Sequence, residues 1–314
     1  MPRWATVVLG LVALALATGA GCGIGFLAGA GVTGGLSFSR NGVAVVRVVG
    51  TIQTGEGNGL FAADGAYSGR ITSELRRAQR DPAVKAVVLQ VDSPGGGVTA
   101  SDEIRNEVLR TRTGSHKPVV VSMGSMAASG GYYVSAPADR IVANPTTLTG
   151  SIGVITVLTN MQGLLDKVGI TTEVLTTGAH KDDTSGLRPL TAEDRHILQT
   201  VIDDAFDRFV SVVAEGRRMD PARVRELADG RIYSGNQAKD LGLVDDFGDL
   251  PEALRTAADL GGVNGPYRII EYRRGFGLSL GGLTGLFRMA GSGNASAALG
   301  RESPGLMNYL YVVP

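Results

Sequence analysis

The chain has 314 residues, 43% of them hydrophobic, with 30 basic and 30 acidic side chains. That length holds one large domain or two small ones, and the balanced charge lacks the basic excess that nucleic-acid binding demands. One cysteine, Cys22, excludes an internal disulfide, and Lys85, Lys117, Lys167, Lys181 and Lys239 are the whole supply of lysine.

From Trp4 to Ser39 there is no charged side chain, and Ala5 to Leu27 forms an apolar run. This run exceeds the roughly 20 residues a helix needs to cross a bilayer. A membrane anchor over residues 1–40 is therefore expected, as one transmembrane helix. Arg3 before it and Arg40 after it favour an inside amino terminus only weakly, which would put the rest of the chain outside. Cleavage as a signal peptide competes, because Ala17 to Gly21 is rich in small residues, but the apolar run continues through Ile24, Phe26 and Leu27. Cys22 raises lipoprotein processing, against which Gly19 stands where a lipobox leucine is expected. Gly21, Gly25 and Gly29 suit close helix packing in lipid and read equally as flexible glycine use.

From Gly42 the pattern becomes that of an α/β domain, expected over residues 41–260. Val43 to Val49 reads as a strand, Ser68 to Arg80 as an amphipathic helix with Ile71, Leu75 and Ala78 on one face, and Ala86 to Val91 as a second strand. Alternating strands and helices imply a parallel sheet with crossover helices. The Gly-rich loop Thr54 to Tyr67 separates the first strand from its helix.

Two turns follow the same strand, turn, helix order. DSPGGG, Asp92 to Gly97, precedes a helical stretch from Ala100 to Arg110. VSMGSMAASGGYY, Val121 to Tyr133, follows the β-branched run that begins at Pro118. Gly124, Ala127, Ala128, Gly130 and Gly131 leave the second turn almost bare, so Ser129 is accessible and reads as a nucleophile. An N-cap serine opening an ordinary helix is the competing reading. In open parallel sheets ligands bind at the carboxyl ends of strands, so two such turns on neighbouring strands meet along one edge. Gly96 and Gly130 would then donate backbone N–H bonds to one carbonyl oxygen, as an oxyanion hole.

Arg140 to Ala143, Ile152 to Leu158 and Thr171 to Leu175 look like further strands, with the Thr-rich link Thr146 to Ser151 between the first two. TGAHKDDTSGLRP, Thr177 to Pro189, is a polar loop that carries Lys181. Of the histidines, His116 falls in a turn and His196 in a helical pattern, which leaves His180 as the rival to Lys181 for a base.

AASGGYYVSAPADRIVANPTTLTGSIGVI, VDSPGGG, GAHKD and DGRIYSGNQAKDLGLVDDFG together resemble the bacterial serine signal peptide peptidase family in its short, single-domain form, from about Val43 to Leu260. The resemblance implies a fold related to Clp protease and the crotonases. It also implies a serine endopeptidase with Ser129 as nucleophile, Lys181 as general base and Ser151 orienting that lysine. A homo-oligomeric ring in the bacterial cell membrane is expected, with the dyad shared between subunits and the catalytic domain on the extracytoplasmic side. The implied substrates are remnant signal peptides and other hydrophobic peptides, with no cofactor and no metal. A crotonase-like acyl-CoA or thioester enzyme would use the same paired turns without a nucleophile, and an inactive membrane scaffold would ignore Ser129.

A lysine acting as base near neutrality must be pushed about 3 pKa units below its free value of about 10.4, roughly 4 kcal/mol in favour of the neutral amine. Asp182 and Asp183 oppose this if they lie close to the Lys181 amine, so either they point away from it or the desolvation comes only when rings assemble and substrate fills the site. Thr191 to Arg217 reads as a long helix with a core stripe of Ile197, Val201, Ala205, Phe209 and Val212. Asp220 to Leu227, Gly235 to Leu241 and Asp249 to Leu260 read as helices, with Leu243 to Asp245 strand-like. Residues 261–314 form a Gly/Ser-rich tail ending in LMNYLYVVP, expected to pair as a strand with its own or a neighbouring subunit, Tyr309 and Tyr311 acting as anchors.

Overall fold

A computed structural model describes residues 41–57 and 64–272, and the main chain of 308–310. The expected membrane helix, Cys22 and most of the tail lie outside the described residues. No helix among the described residues is long and apolar enough to cross a membrane.

The architecture is mixed α/β with a mostly parallel central sheet. In chain order the first elements are β1 (Gly42–Val49), β2 (Ile52–Gln53), β3 (Ala66–Tyr67), α1 (Ser68–Arg80), β4 (Val84–Ser93), β5 (Gly95–Gly97) and α2 (Val98–Leu109). Then come β6 (Val119–Ala128), α3 (Gly130–Ser135), β7 (Arg140–Ala143), β8 (Leu148–Gly150), α4 (Gln162–Lys167), α5 (Ala192–Arg217) and α6 (Pro221–Leu227). The last are β9 (Ile232–Ser234), α7 (Gly235–Asp240), β10 (Asp246–Phe247), α8 (Leu250–Leu260), β11 (Arg268–Glu271) and β12 (Asn308–Leu310).

The main sheet runs β10-β7-β6-β4-β1-β11 with every pair parallel; β8 adds to the end of β6 in parallel, and β9 pairs antiparallel with β8. A strand covered on both faces is mostly apolar, and that is why β1 and β4 read as valine-rich runs broken only at positions such as Arg47 and Gln90. Ala44, Val46, Val48, Leu89 and Val91 face a cluster with Ile71, Leu75 and Ile104, while Val43, Val45, Val88 and Val120 face Ala253, Leu254 and Ala257 of α8. Burying each of the larger side chains contributes about 1.5–3 kcal/mol relative to exposure.

Several expectations need correction. Ile152 to Leu158 and Thr171 to Leu175 form no strand: apart from an isolated bridge at Ile155, both are irregular chain in the long segment between β8 and α5. The Thr-rich link holds a real strand instead, β8, whose one threonine, Thr149, is fully buried. Of the α5 stripe, Phe209 and Val212 are buried, but Val201 is 43% exposed, in a first half of the helix where Asp194 alone is buried. The strand after α7 begins one residue past the expected Leu243 to Asp245, and β11, unread in the tail, extends the sheet beside β1.

Candidate active site

Ser129 stands where β6 ends and α3 begins, with φ 53° and ψ −120°. A non-glycine residue at this positive φ stores strain of about 1–3 kcal/mol, held in place by its surroundings. The Ser129 amide donates to the Gly150 carbonyl at 2.8 Å, the Thr149 hydroxyl donates to the Ala127 carbonyl at 2.7 Å, and the Thr147 hydroxyl to the Gly124 carbonyl at 2.8 Å. Ser129 occupies the N-cap position but its side chain caps nothing. Against the expected accessibility, its hydroxyl is buried, with the residue 1% exposed, and among the described residues it has no hydrogen-bond partner. The helix-cap reading therefore fails at the side chain.

The two Gly turns meet, because β4 and β6 are neighbours with Ser93 opposite Ala127. A methyl placed on Gly130 would stand 2.6 Å from the Ser101 hydroxyl oxygen and 3.2 Å from the Gly96 nitrogen. One on Gly96 would stand 2.0 Å from the Ile52 carbonyl oxygen, so neither position admits a side chain. Gly96 has Ile52 of β2 on one side and Tyr309 of β12 on the other, the latter antiparallel. The tail strand thus pairs with its own chain along the edge that carries Gly96; the side chains of Tyr309 and Tyr311 lie outside the described residues.

Ser151 follows β8 directly, with φ 49° and its amide bonded to the Arg231 carbonyl at 2.8 Å. It is buried and one residue beyond the carbonyl that holds Ser129. Lys181 is exposed in the arm between β8 and α5, and among the described residues no hydrogen bond joins it to the Ser129 hydroxyl. Apolar side chains of the same arm face solvent, with Val157 73% and Leu175 88% exposed.

Beside Lys181 an ion-pair knot closes the arm onto α5. The Arg188 guanidinium donates to both Asp182 oxygens at 2.9 and 3.0 Å, to Asp183 at 2.9 Å and to Asp194 at 2.5 Å. Asp194 also completes the α5 capping box, accepting from the Thr191 amide while its own amide donates to the Thr191 hydroxyl. Hydrogen bonds from Arg188 hold the Asp182 and Asp194 carboxyls below the usual carboxylate range, and the acids raise the guanidinium in return. His180, Asp183 and Asp194 bring ligating atoms within 4.8 Å of one another, but Arg188 already satisfies both carboxylates. The grouping is an ion-pair knot rather than a metal centre.

The supports of the turn, Thr147, Thr149 and the Gly150 carbonyl, were readable only as a Thr-rich link. Asp92 was similarly unassigned; its carboxylate accepts from the Met126 amide at 3.0 Å and braces the irregular end of β6. Arg188 carried no signal beyond its position six residues from Asp182.

Comparison with known proteins supplies the relationship. The profile of Peptidase family S49 matches residues 111–264, a stretch that contains Ser129, Ser151 and Lys181. A putative signal peptide peptidase of Enterococcus faecium is 44% identical over 217 residues, 69% of this chain and 62% of the relative. Protease 4 of Salmonella typhi is 42% identical over 219 residues, and this chain spans only 34% of its length. A putative protease of Methanocaldococcus jannaschii is 39% identical over 229 residues, which cover 73% of both chains. Two-sided coverage of that extent makes the relationship one of whole folds, and the protein belongs to peptidase family S49, the signal peptide peptidase family.

Proposed function

We propose that the protein is a membrane-anchored serine endopeptidase that cuts remnant signal peptides or other hydrophobic peptides with a Ser129–Lys181 dyad completed between subunits of a ring. The observation that carries this reading is Ser129 itself, a buried, unpartnered hydroxyl on a strained turn beside Gly96. In the cycle, the neutral Lys181 amine of a neighbouring subunit takes the hydroxyl proton as Ser129 Oγ bonds to the scissile carbonyl carbon. Backbone N–H groups of Gly96 and Gly130 stabilise the oxyanion, and the protonated amine passes its proton to the leaving nitrogen as the peptide bond breaks. Water, deprotonated by the same lysine, then hydrolyses the acyl-enzyme and releases the acid.

An exposed lysine on an arm with exposed apolar side chains supports completion of the site by a second copy, since single chains seldom leave such a surface to water. Extended pairing of β12 on β5 supports recognition of peptide as an added strand. The apolar run of residues 5–27 supports the single-pass anchor, with the catalytic domain on the extracytoplasmic side.

The test is fluorophosphonate labelling of the detergent-solubilised full chain alongside Ser129→Ala and Lys181→Ala. Wild type alone is expected to label; equal labelling of Ser129→Ala, or none of wild type, overturns the peptidase reading. Co-expressed Ser129→Ala and Lys181→Ala chains are expected to recover partial activity, and no recovery would place the dyad within one chain.

A further inference from the structure

A lysine followed by two aspartates in an exposed loop ordinarily pairs with one of them, which favours its charged form. The arm is built otherwise. Asp182 is taken bidentately by Arg188, and Asp183 receives Arg188 on one oxygen while His180 Nδ1 lies 3.3 Å from the other. The Asp183 and Asp194 side chains are only 6% and 3% exposed. Among the described residues no carboxylate pairs with Lys181.

We infer that Arg188 is a positioning residue that keeps Asp182 and Asp183 off the Lys181 amine, so that the lysine can shed its proton and act as a base. The inference rests on the reading of Lys181 as that base. Arg188 acts through the two carboxylates and does not itself touch the reacting atoms. A bidentate guanidinium–carboxylate pair fixes both distance and direction, which an ammonium cannot do. Three carboxylates share the one guanidinium, so the knot keeps an excess of negative charge that any free cation nearby would answer. Lys181 is the cation next in sequence. The remaining charged groups of the knot are His180 on the arm and Glu193 on α5, 3.8 Å apart, with Arg195 lining the same cavity as Asp183 and Arg188. His180, when protonated, lies against Asp183 and Asp194 and works in the same direction as Arg188.

The rate of fluorophosphonate labelling of Ser129, measured against pH on full-length protein in detergent, tests this. Arg188→Gln is expected to move the acid limb of the profile up by about one pH unit while the rate at high pH is retained, as freed acids a few ångströms away would do. Arg188→Gln combined with Asp182→Asn and Asp183→Asn is expected to return the limb to its wild-type position. A merely structural knot predicts the opposite, because the triple variant loses still more hydrogen bonds. Equal loss at every pH in Arg188→Gln, or a triple variant no better than it, overturns the inference. Labelling of Lys181→Ala at the wild-type rate instead removes the dyad on which the inference stands, and so separates the two failures.

Discussion

The Gly96 nitrogen lies 3.2 Å from the point where a methyl on Gly130 would stand, although 34 residues separate the two glycines in the chain. Neighbouring parallel strands, β4 and β6, deliver both turns to one place. Gly130→Ala is expected to cut fluorophosphonate labelling by about 100-fold, the loss typical of one oxyanion donor displaced. Adding Ser101→Ala removes the closer contact, at 2.6 Å, but leaves the Gly96 main chain in the way. The double variant should therefore regain thermal stability without regaining labelling. Recovery of both would show that the hydroxyl contact alone was at fault.

Ser129 holds a backbone conformation that glycine adopts freely, at φ 53°. Ser129→Gly and Ser129→Ala both lose the hydroxyl and are expected to be inactive, but they differ in what they do to the turn. Glycine relieves strain of about 1 kcal/mol or more, partly offset by its extra freedom in the unfolded chain. Urea midpoints should place Ser129→Gly above Ser129→Ala. Equal midpoints would mean that the turn is unstrained.

Sequence legibility followed burial. Valine-rich runs at Val43–Val46, Ala86–Leu89 and Val119–Val121 marked β1, β4 and β6, because strands buried on both faces show little polar alternation. The same β-branched signal misled at Ile152 to Leu158 and Thr171 to Leu175, since propensity reports what a residue suits and not whether a neighbouring strand exists. β8 was hidden for the converse reason: its Leu148-Thr149-Gly150 reads as polar punctuation until Ala128 lies opposite Gly150. Ser129, Gly96 and Gly130 were legible as bare turns after strands, and the structure places them together. Lys181 was singled out by scarcity and family likeness, whereas the pairing of Arg188 with the neighbouring Asp182 and Asp183 is a contact that only a folded loop creates.

The pairing of Tyr309 with Gly96 has its own consequence. β12 covers the edge of β5 along which an extended substrate would add. Truncation after Gly305 is expected to raise the labelling rate of a peptidyl fluorophosphonate more than that of a small alkyl one, since only the former needs the strand edge. Equal ratios in full-length and truncated protein would show that the tail strand does not compete with peptide.

Asp102 ties α2 to the helix that follows Ser129 and to α5. Its Oδ1 accepts from the Tyr133 hydroxyl at 2.5 Å and from Arg208 at 3.2 Å, and its Oδ2 from Asn106 at 2.8 Å. Burial works to raise its pKa, and the Tyr133 hydroxyl, Arg208 and Asn106 together hold the carboxyl below its usual value. A carboxyl depressed in the folded state stabilises the protein above its unfolded pKa, about 3.9, and loses that contribution as pH falls through the folded one. Asp102→Asn keeps the shape but loses the charge, so it should cost about 1 kcal/mol at pH 7, the scale of a partly exposed charge-assisted hydrogen bond. Urea midpoints of wild type and Asp102→Asn should accordingly differ at pH 7 and converge below about pH 4. A gap that persists unchanged into acid would assign the loss to packing of the amide, not to the carboxylate charge.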